Sequence, residues 1–176
     1  MPSRNSILAD LETIDDPEMP ISIVDLGLIE RVEILPHSSN GEADRADVEI
    51  DILPTFVGCP ALDMIRDLVR KKLTARDDVN EVKVNFLFDP PWSVDRITES
   101  GRERLKEHGV TVPDHGSRLP VHDAPKLTTQ VHTSAVPCPF CESRSTYLDS
   151  PFGPTRCRMI YYCEACRNSF EHMKRI

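Results

Sequence analysis

Four cysteines spaced C-x2-C-x21-C-x2-C, namely Cys138, Cys141, Cys163 and Cys166, constrain this 176-residue chain more than any other feature. Each C-x2-C pair sets two sulfurs on one tight turn, and two such turns supply a tetrahedral four-sulfur shell suited to zinc. Iron is the other candidate, because thiolates serve both metals. The spacer is about one residue longer than usual for such sites, and extra loop length costs a hairpin little. It contains STYLDSPFGPTRCRMIYY, two β-like stretches about a Pro/Gly turn, and SFEHMKRI supplies a last strand. A module of about forty residues cannot bury a sizeable core, so the ion is expected to supply folding free energy. A closed shell of four cysteines leaves no position for water, which makes the expected role structural. Cys157 is a fifth thiol in the same module, read either as a small buried hydrophobe or as an additional metal contact. The quartet could instead form two disulfides. The paired spacing, and an N-terminal MPSRNSILADLETIDD without an apolar leader, favour thiols in a reducing cytoplasm.

Upstream the pattern is mixed. Ile7, Leu8, Leu11 and Ile14 follow helical spacing, and DDPEMP should stop that helix. Residues 28–35 and 46–53 read as strands, the second alternating Val48, Ile50 and Ile52 with Glu49 and Asp51; the polar stretch 36–45 suits a long hairpin loop. Residues 60–73 carry Leu62, Ile65, Val69 and Leu73 on one helical stripe, and residues 82–88 alternate again. ITESGRERLKEHG (97–109) is an amphipathic helix with Thr98 as N-cap and Gly109 as its stop. The order is α-β-β-α-β-α, and a helical crossover makes the second and third strands parallel. The expected fold class is therefore α/β (α+β), a small sandwich followed by a four-cysteine β module. We divide it into a domain at 1–114, a linker at 115–135 and a metal module at 136–176.

The charge is −8 overall but uneven. Residues 134–176 hold six Lys/Arg against four Asp/Glu, and the remainder carries −10. An acidic body disfavours phosphate backbones, so nucleic-acid binding is the weakest reading. There is no run of about 18 apolar residues, so no membrane span is expected.

One further thiol stands apart. In PTFVGCPALDM (54–64), Pro60 suits the first helical position, which would make Cys59 the N-cap. The helix dipole and the free N–H groups there would favour a thiolate, more nucleophilic and a better soft-metal ligand than an ordinary cysteine. Gly58 would keep bulk away from the sulfur, and Thr55 offers a hydroxyl. The alternative is a cysteine that merely packs under a turn. The carboxylates Asp15, Asp16, Glu18 and Asp25 either line the same side and hold a cation or are solvated turn residues.

The segments DDPEMPISIVDLGLIERVEI, PTFVGCPALDMI and PPWSVDRIT resemble the SufT-type domain of iron–sulfur assembly factors. Together with CPFC, FGPTRCRMIYYCEAC and SFEHMKRI, they make the chain similar to the PaaD (PaaJ) family of accessory proteins from phenylacetyl-CoA ring-epoxidase gene clusters. That resemblance implies a SufT-type α/β fold followed by a zinc-ribbon-like module. It implies a role beside a multicomponent oxygenase with a di-iron subunit and an iron–sulfur reductase. It also implies that Asp16, Glu18, Thr55 and Cys59 are signature positions serving as transient metal or cluster ligands. Cys138, Cys141, Cys163 and Cys166 match the metal cysteines, and Cys157 matches the thiol of an FGSTxC segment. Pro154 replaces a serine of that segment, and Arg96 stands where the family has a second tryptophan; both bear on the partner surface.

The expected function is an accessory factor, not itself catalytic, that matures or maintains the iron or iron–sulfur centre of a phenylacetyl-CoA 1,2-epoxidase. An iron or iron–sulfur cluster would pass transiently through Cys59, and zinc or iron would reside in the quartet. Partners would be oxygenase or reductase subunits and other iron–sulfur assembly proteins, with homodimerisation open and membranes excluded. The alternative is a structural or electron-transfer subunit of the oxygenase. Against autonomous catalysis, the chain has no nucleotide-binding glycine motif, flavin signature or E-x-x-H pair.

Overall fold

The computed structural model describes residues 1–36, 45–116 and 136–175. Residues 37–44 of the expected hairpin loop and 117–135 of the expected linker lie outside the described residues. The chain forms two compact units, Met1–Trp92 with Arg96–Gly101, and Ser93–Asp95 with Arg102–Ile176. The division falls inside a helix, so residues 102–114 group with the cysteine module.

In the first unit, α1 (Arg4–Glu12) starts three residues before the apolar pattern does, because Ser3 and Ser6 cap it reciprocally. It buries Ile7 and Leu11. The strands β1 (Ile29–Pro36), β2 (Ala46–Ile52) and β3 (Val79–Phe86) form a sheet of that order. β1 and β2 are antiparallel and β2 and β3 parallel, as a crossover through α2 (Leu62–Thr74) requires. One face of β2 buries Val48, Ile50 and Ile52, and α2 buries Ile65, Val69 and Leu73. β3 starts three residues earlier than its alternation suggested and ends before Phe88, which is exposed.

The opposite face of the sheet is charged but paired. Arg31 Nε donates to Asp51 Oδ2 at 2.6 Å, Lys83 Nζ to Glu49 at 3.0 Å, and Asn85 Nδ2 to both Glu49 and Asp51. Glu33 faces Glu49 across the β1–β2 ladder, and Arg31 bonds the first while Lys83 neutralises the second. Asp51, 5% exposed, is thereby buried with partners.

The segment 13–28 threads through this core. Ile14, Ile21, Ile23, Leu26 and Leu28 are buried, and Trp92 Nε1 donates to the Leu26 carbonyl at 3.0 Å. Gly27 has φ +72° and lies so close to Arg96 that an added Cβ would stand 2.4 Å from its carbonyl oxygen. Arg96 clamps this turn through Gly27 O (2.8 Å), Ile29 O (3.0 Å) and Glu30 (2.8 Å). The residue that departs from the family pattern therefore has a structural task here.

Thr98 caps α3 (Glu99–Glu107), its Oγ1 accepting the Gly101 N–H at 3.0 Å. Gly109, at φ +76°, follows the helix end.

The second unit is a four-stranded sheet of order β4-β7-β6-β5, with β4 (Val110–Thr111), β5 (Thr146–Ser150), β6 (Arg158–Cys163) and β7 (Ser169–Met173). β5, β6 and β7 are antiparallel neighbours, as the spacer pattern suggested. The two-residue β4, parallel to β7, was not foreseen; two residues carry no periodicity. Cys138, Tyr161, Cys163 and Phe170 form the core, flanked by Val136, Leu148, Met159 and Cys166.

Candidate metal centre

The two C-x2-C turns are built alike. Cys138 O accepts the Glu142 N–H at 2.9 Å, and Cys163 O accepts the Arg167 N–H at 2.8 Å. Cys138 N donates to Ser143 O, and Cys163 N to Asn168 O, at 3.0 and 2.9 Å. Glu142 and Arg167 adopt φ of 61° and 60°, a left-handed conformation that L residues enter at a cost of about 1 kcal/mol each. Both turns accept that cost at the same position, and the result points each pair of sulfurs at the other.

The four Sγ atoms lie within 4.8 Å of one another. Cys138 Sγ is 3.6 Å from Cys166 Sγ, and Cys141 Sγ is 3.6 Å from Cys163 Sγ. A tetrahedral ion with metal–sulfur bonds of about 2.3 Å separates its sulfurs by about 3.8 Å, so the quartet fits such a group. None of the six cysteines is disulfide-bonded.

The sulfurs differ in environment. Burial pushes the Cys138 thiol up. The Ser143 N–H favours the Cys141 thiolate, but burial and the sulfurs of Cys166, Cys163 and Cys138 push it up to about 12. Burial opposes ionisation of Cys166, yet the Asn168 main chain and side chain and the neighbouring sulfurs bring it down to about 6. Four thiols this close cannot all ionise without a cation among them, which is the electrostatic case for a bound metal.

Ser143 and Asn168 each sit two residues after a cysteine pair and aim N–H groups at the sulfurs; sequence reading passed over them. Their signal is a small polar residue at the same offset in both turns. Phe140 packs on Gly109, where an added Cβ would stand 2.8 Å from its ring.

Cys157 is buried beside Thr155 (Oγ1···Sγ 3.1 Å) and lies outside the quartet. The loop before it is pinned by Gly153 N to Arg158 O (3.0 Å) and Arg158 Nε to Thr155 Oγ1 (2.8 Å).

Cys59 is placed differently from expectation. α2 begins at Leu62 with Ala61 as N-cap and no side-chain cap, so Cys59 lies two residues upstream of the cap. Its carbonyl accepts the Leu62 N–H at 3.5 Å, closing a separate turn that Pro60 enters before the helix. The side chain is half-buried. Gly58 has φ +83°, and an added Cβ there would meet nothing within 4 Å, so the glycine serves the backbone and not the space around the sulfur.

Asp16 Oδ1 accepts the Glu18 N–H at 2.9 Å, an Asx turn that shapes the loop. Asp25 is buried and receives Thr98 Oγ1 (2.5 Å) and Ser100 Oγ (2.8 Å), tying α3 to the core. Thr55 is half-buried in the loop before Cys59. Among the described residues, the quartet is the group of three or more potential ligands gathered within coordinating distance; Asp16, Glu18 and Cys59 do not form another.

No helix among the described residues is long and apolar enough to cross a membrane.

A family model described as an iron–sulfur cluster assembly protein matches residues 4–86, and one described as the PaaD zinc beta ribbon domain matches residues 122–174. The chain is 35% identical over 174 residues to an Escherichia coli protein named as a subunit of a "Putative 1,2-phenylacetyl-CoA epoxidase", covering 98% of this chain and 93% of that one. It is 31% identical over 90 residues to the Fe-S protein maturation auxiliary factor SufT of Staphylococcus aureus, covering 51% of this chain and 93% of the relative. A conserved hypothetical protein from Thermotoga maritima matches with 26% identity and a TM-score of 0.47, over 59% of this chain and 94% of that one. With two domain models in this order and a relative matched along nearly its whole length, the chain belongs to the PaaD family of phenylacetyl-CoA epoxidase proteins, an iron–sulfur assembly domain joined to a zinc β ribbon.

Proposed function

We propose that this protein matures or maintains the iron or iron–sulfur centre of a multicomponent phenylacetyl-CoA ring-epoxidase. The observation that carries the reading is the joining, in one chain, of an iron–sulfur assembly domain and a PaaD ribbon. The assembly domain offers a thiol on a loop, Cys59, half-buried two residues upstream of the α2 N-cap. Its role is to hold an iron ion or cluster as cargo, with Asp16, Glu18 and Thr55 of the same domain as the accompanying polar groups. The metal-sulfur cage of the ribbon is a separate task. Zinc is its occupant in this reading: the shell is all thiol, the sulfurs have tetrahedral spacing, and four ligands close it to water. The ion holds the two turns together, and the ribbon docks oxygenase or reductase subunits.

Oxygenase co-produced with Cys59→Ala should carry much less iron, or a defective reductase cluster, while the variant itself folds and keeps its ribbon metal. Normal iron content and turnover in that background would overturn the proposal. A second reading, as an electron-transfer component, draws on the word "subunit" in the name of the Escherichia coli relative. It requires a reversible redox couple in the isolated protein, which a zinc-filled quartet cannot supply.

A further inference from the structure

Phe152 is the most exposed aromatic side chain among the described residues, at 76%. It sits in the loop 151–157 between β5 and β6, and that loop is fastened on both sides of the ring. Ser150 Oγ accepts the Phe152 N–H at 3.1 Å and donates to the Phe152 carbonyl at 2.8 Å. Gly153 packs so closely on Arg158 that an added Cβ would stand 3.0 Å from its carbonyl, and Pro154 fixes the next φ. Lys174 N donates to Cys157 O at 2.8 Å, which joins the far end of the loop to the chain just after β7. A braced backbone therefore holds the ring out in solvent, and little ordering remains to be lost when it is covered.

Charge around the ring is one-sided. Lys174 Nζ stands 5.4 Å from the ring centroid, and Arg156 is exposed in the same loop. Residues 151–157 contain no carboxylate. Two nearby cations in the sequence, Arg158 and Arg175, are paired with Glu171 and Asp95. Arg156 and Lys174 have no carboxylate partner among the described residues. An aromatic anchor flanked by cations of unneutralised charge is complemented by an apolar pocket whose border carries carboxylates.

We propose that this loop is an interaction surface for a protein partner: Phe152 enters an apolar pocket, and Arg156 and Lys174 meet carboxylates on its rim. An anionic bilayer or a nucleic acid also offers negative charge, but the net charge of −8 repels both at long range. The proposal deepens the reading of the ribbon as the docking module and rests on it.

The test uses the full-length protein, with purified oxygenase and reductase subunits of the epoxidase immobilised in turn. Phe152→Ala should raise the dissociation constant for the docking subunit at least about ten-fold, and Phe152→Leu, which keeps apolar volume, should raise it less. Arg156→Glu combined with Lys174→Glu should weaken binding by at least about ten-fold and remove most of the salt dependence seen in the wild type. Near-ultraviolet dichroism of Tyr147, Tyr161 and Tyr162 should be unchanged in each variant, because the substituted side chains are not core residues. Wild-type affinity in Phe152→Ala would overturn the role of the loop and leave ribbon docking in place. A wild type that binds neither subunit would overturn the docking reading itself, and this proposal with it. Self-association in sedimentation, or binding to phosphatidylserine vesicles, that is lost in Phe152→Ala while subunit binding is kept would assign the loop to another occupant and refute the proposal.

Discussion

Acidification should weaken the ribbon through His172. This ring lies on β7, with Nδ1 at 2.8 Å from Thr111 Oγ1 on β4 and the Tyr161 ring edge-on at 5.5 Å. Burial lowers its pKa to about 4 from an ordinary 6.5, against the opposing charge of Asp114. Between those values the unfolded chain binds the proton more readily than the folded one. The stability contributed by the neutral ring is therefore complete above pH 6.5 and drains away as the pH falls toward 4. The whole interval is worth about 3 kcal/mol, of which about 2 kcal/mol is lost between pH 7 and pH 5. The cysteines also take up protons in acid, so the measurement must be a difference. Urea unfolding of the wild type and of His172→Gln, whose side chain keeps a hydrogen-bonding partner for Thr111, should be compared across that range. All three tyrosines lie in the ribbon and the single tryptophan, Trp92, in the first unit, so near-ultraviolet tyrosine dichroism follows the ribbon. The wild type should lose about 2 kcal/mol more than the variant between pH 7 and pH 5. Parallel pH profiles would show that burial of His172 does not set its protonation.

Gly27→Ala should destabilise the first unit by on the order of 3 kcal/mol, combining a positive φ with a backbone collision against Arg96. Gly58→Ala has a similar φ but open space, so denaturant midpoints should show it losing only about 1 kcal/mol. Thr98→Ala removes the α3 cap and one of the hydroxyls bonded to Asp25, a loss of about 1–2 kcal/mol by the same assay. A strong chelator under reducing conditions should abolish the tyrosine signal of the ribbon and leave Trp92 fluorescence in place, because the metal is folding energy for the second unit.

How far the chain could be read in advance followed from how local each cause is. The quartet was legible because a C-x2-C turn closes within a few residues, and its chemistry needs no distant partner until the two turns meet. The α-β-β-α-β-α order was legible because the apolar faces of β2 and α2 repeat at periods of two and three to four residues. Less legible was the start of α2. Pro60 is equally compatible with a helix start and with the turn that precedes it, and the observed turn moves the N-cap from Cys59 to Ala61. Asp25 read as a cation-holding or solvated turn carboxylate, and Arg96 as a residue of the partner surface; in the fold one receives two hydroxyls and the other holds two backbone carbonyls from segments about seventy residues away.

The sequence by itself determined the residue chemistry and the local periods: four thiols in two turns, strands and helices in alternation, an acidic body and a ribbon of opposite charge. Only the tertiary structure decided which of those groups meet. It gathered four sulfurs within 4.8 Å and left Cys141 facing solvent while Cys138 and Cys163 went into the core. It paired the charges on the open face of the first sheet and made a two-residue strand part of the second. The physical reason is that burial and long-range pairing depend on segments distant in the chain, whereas propensity and turn chemistry act over a few residues.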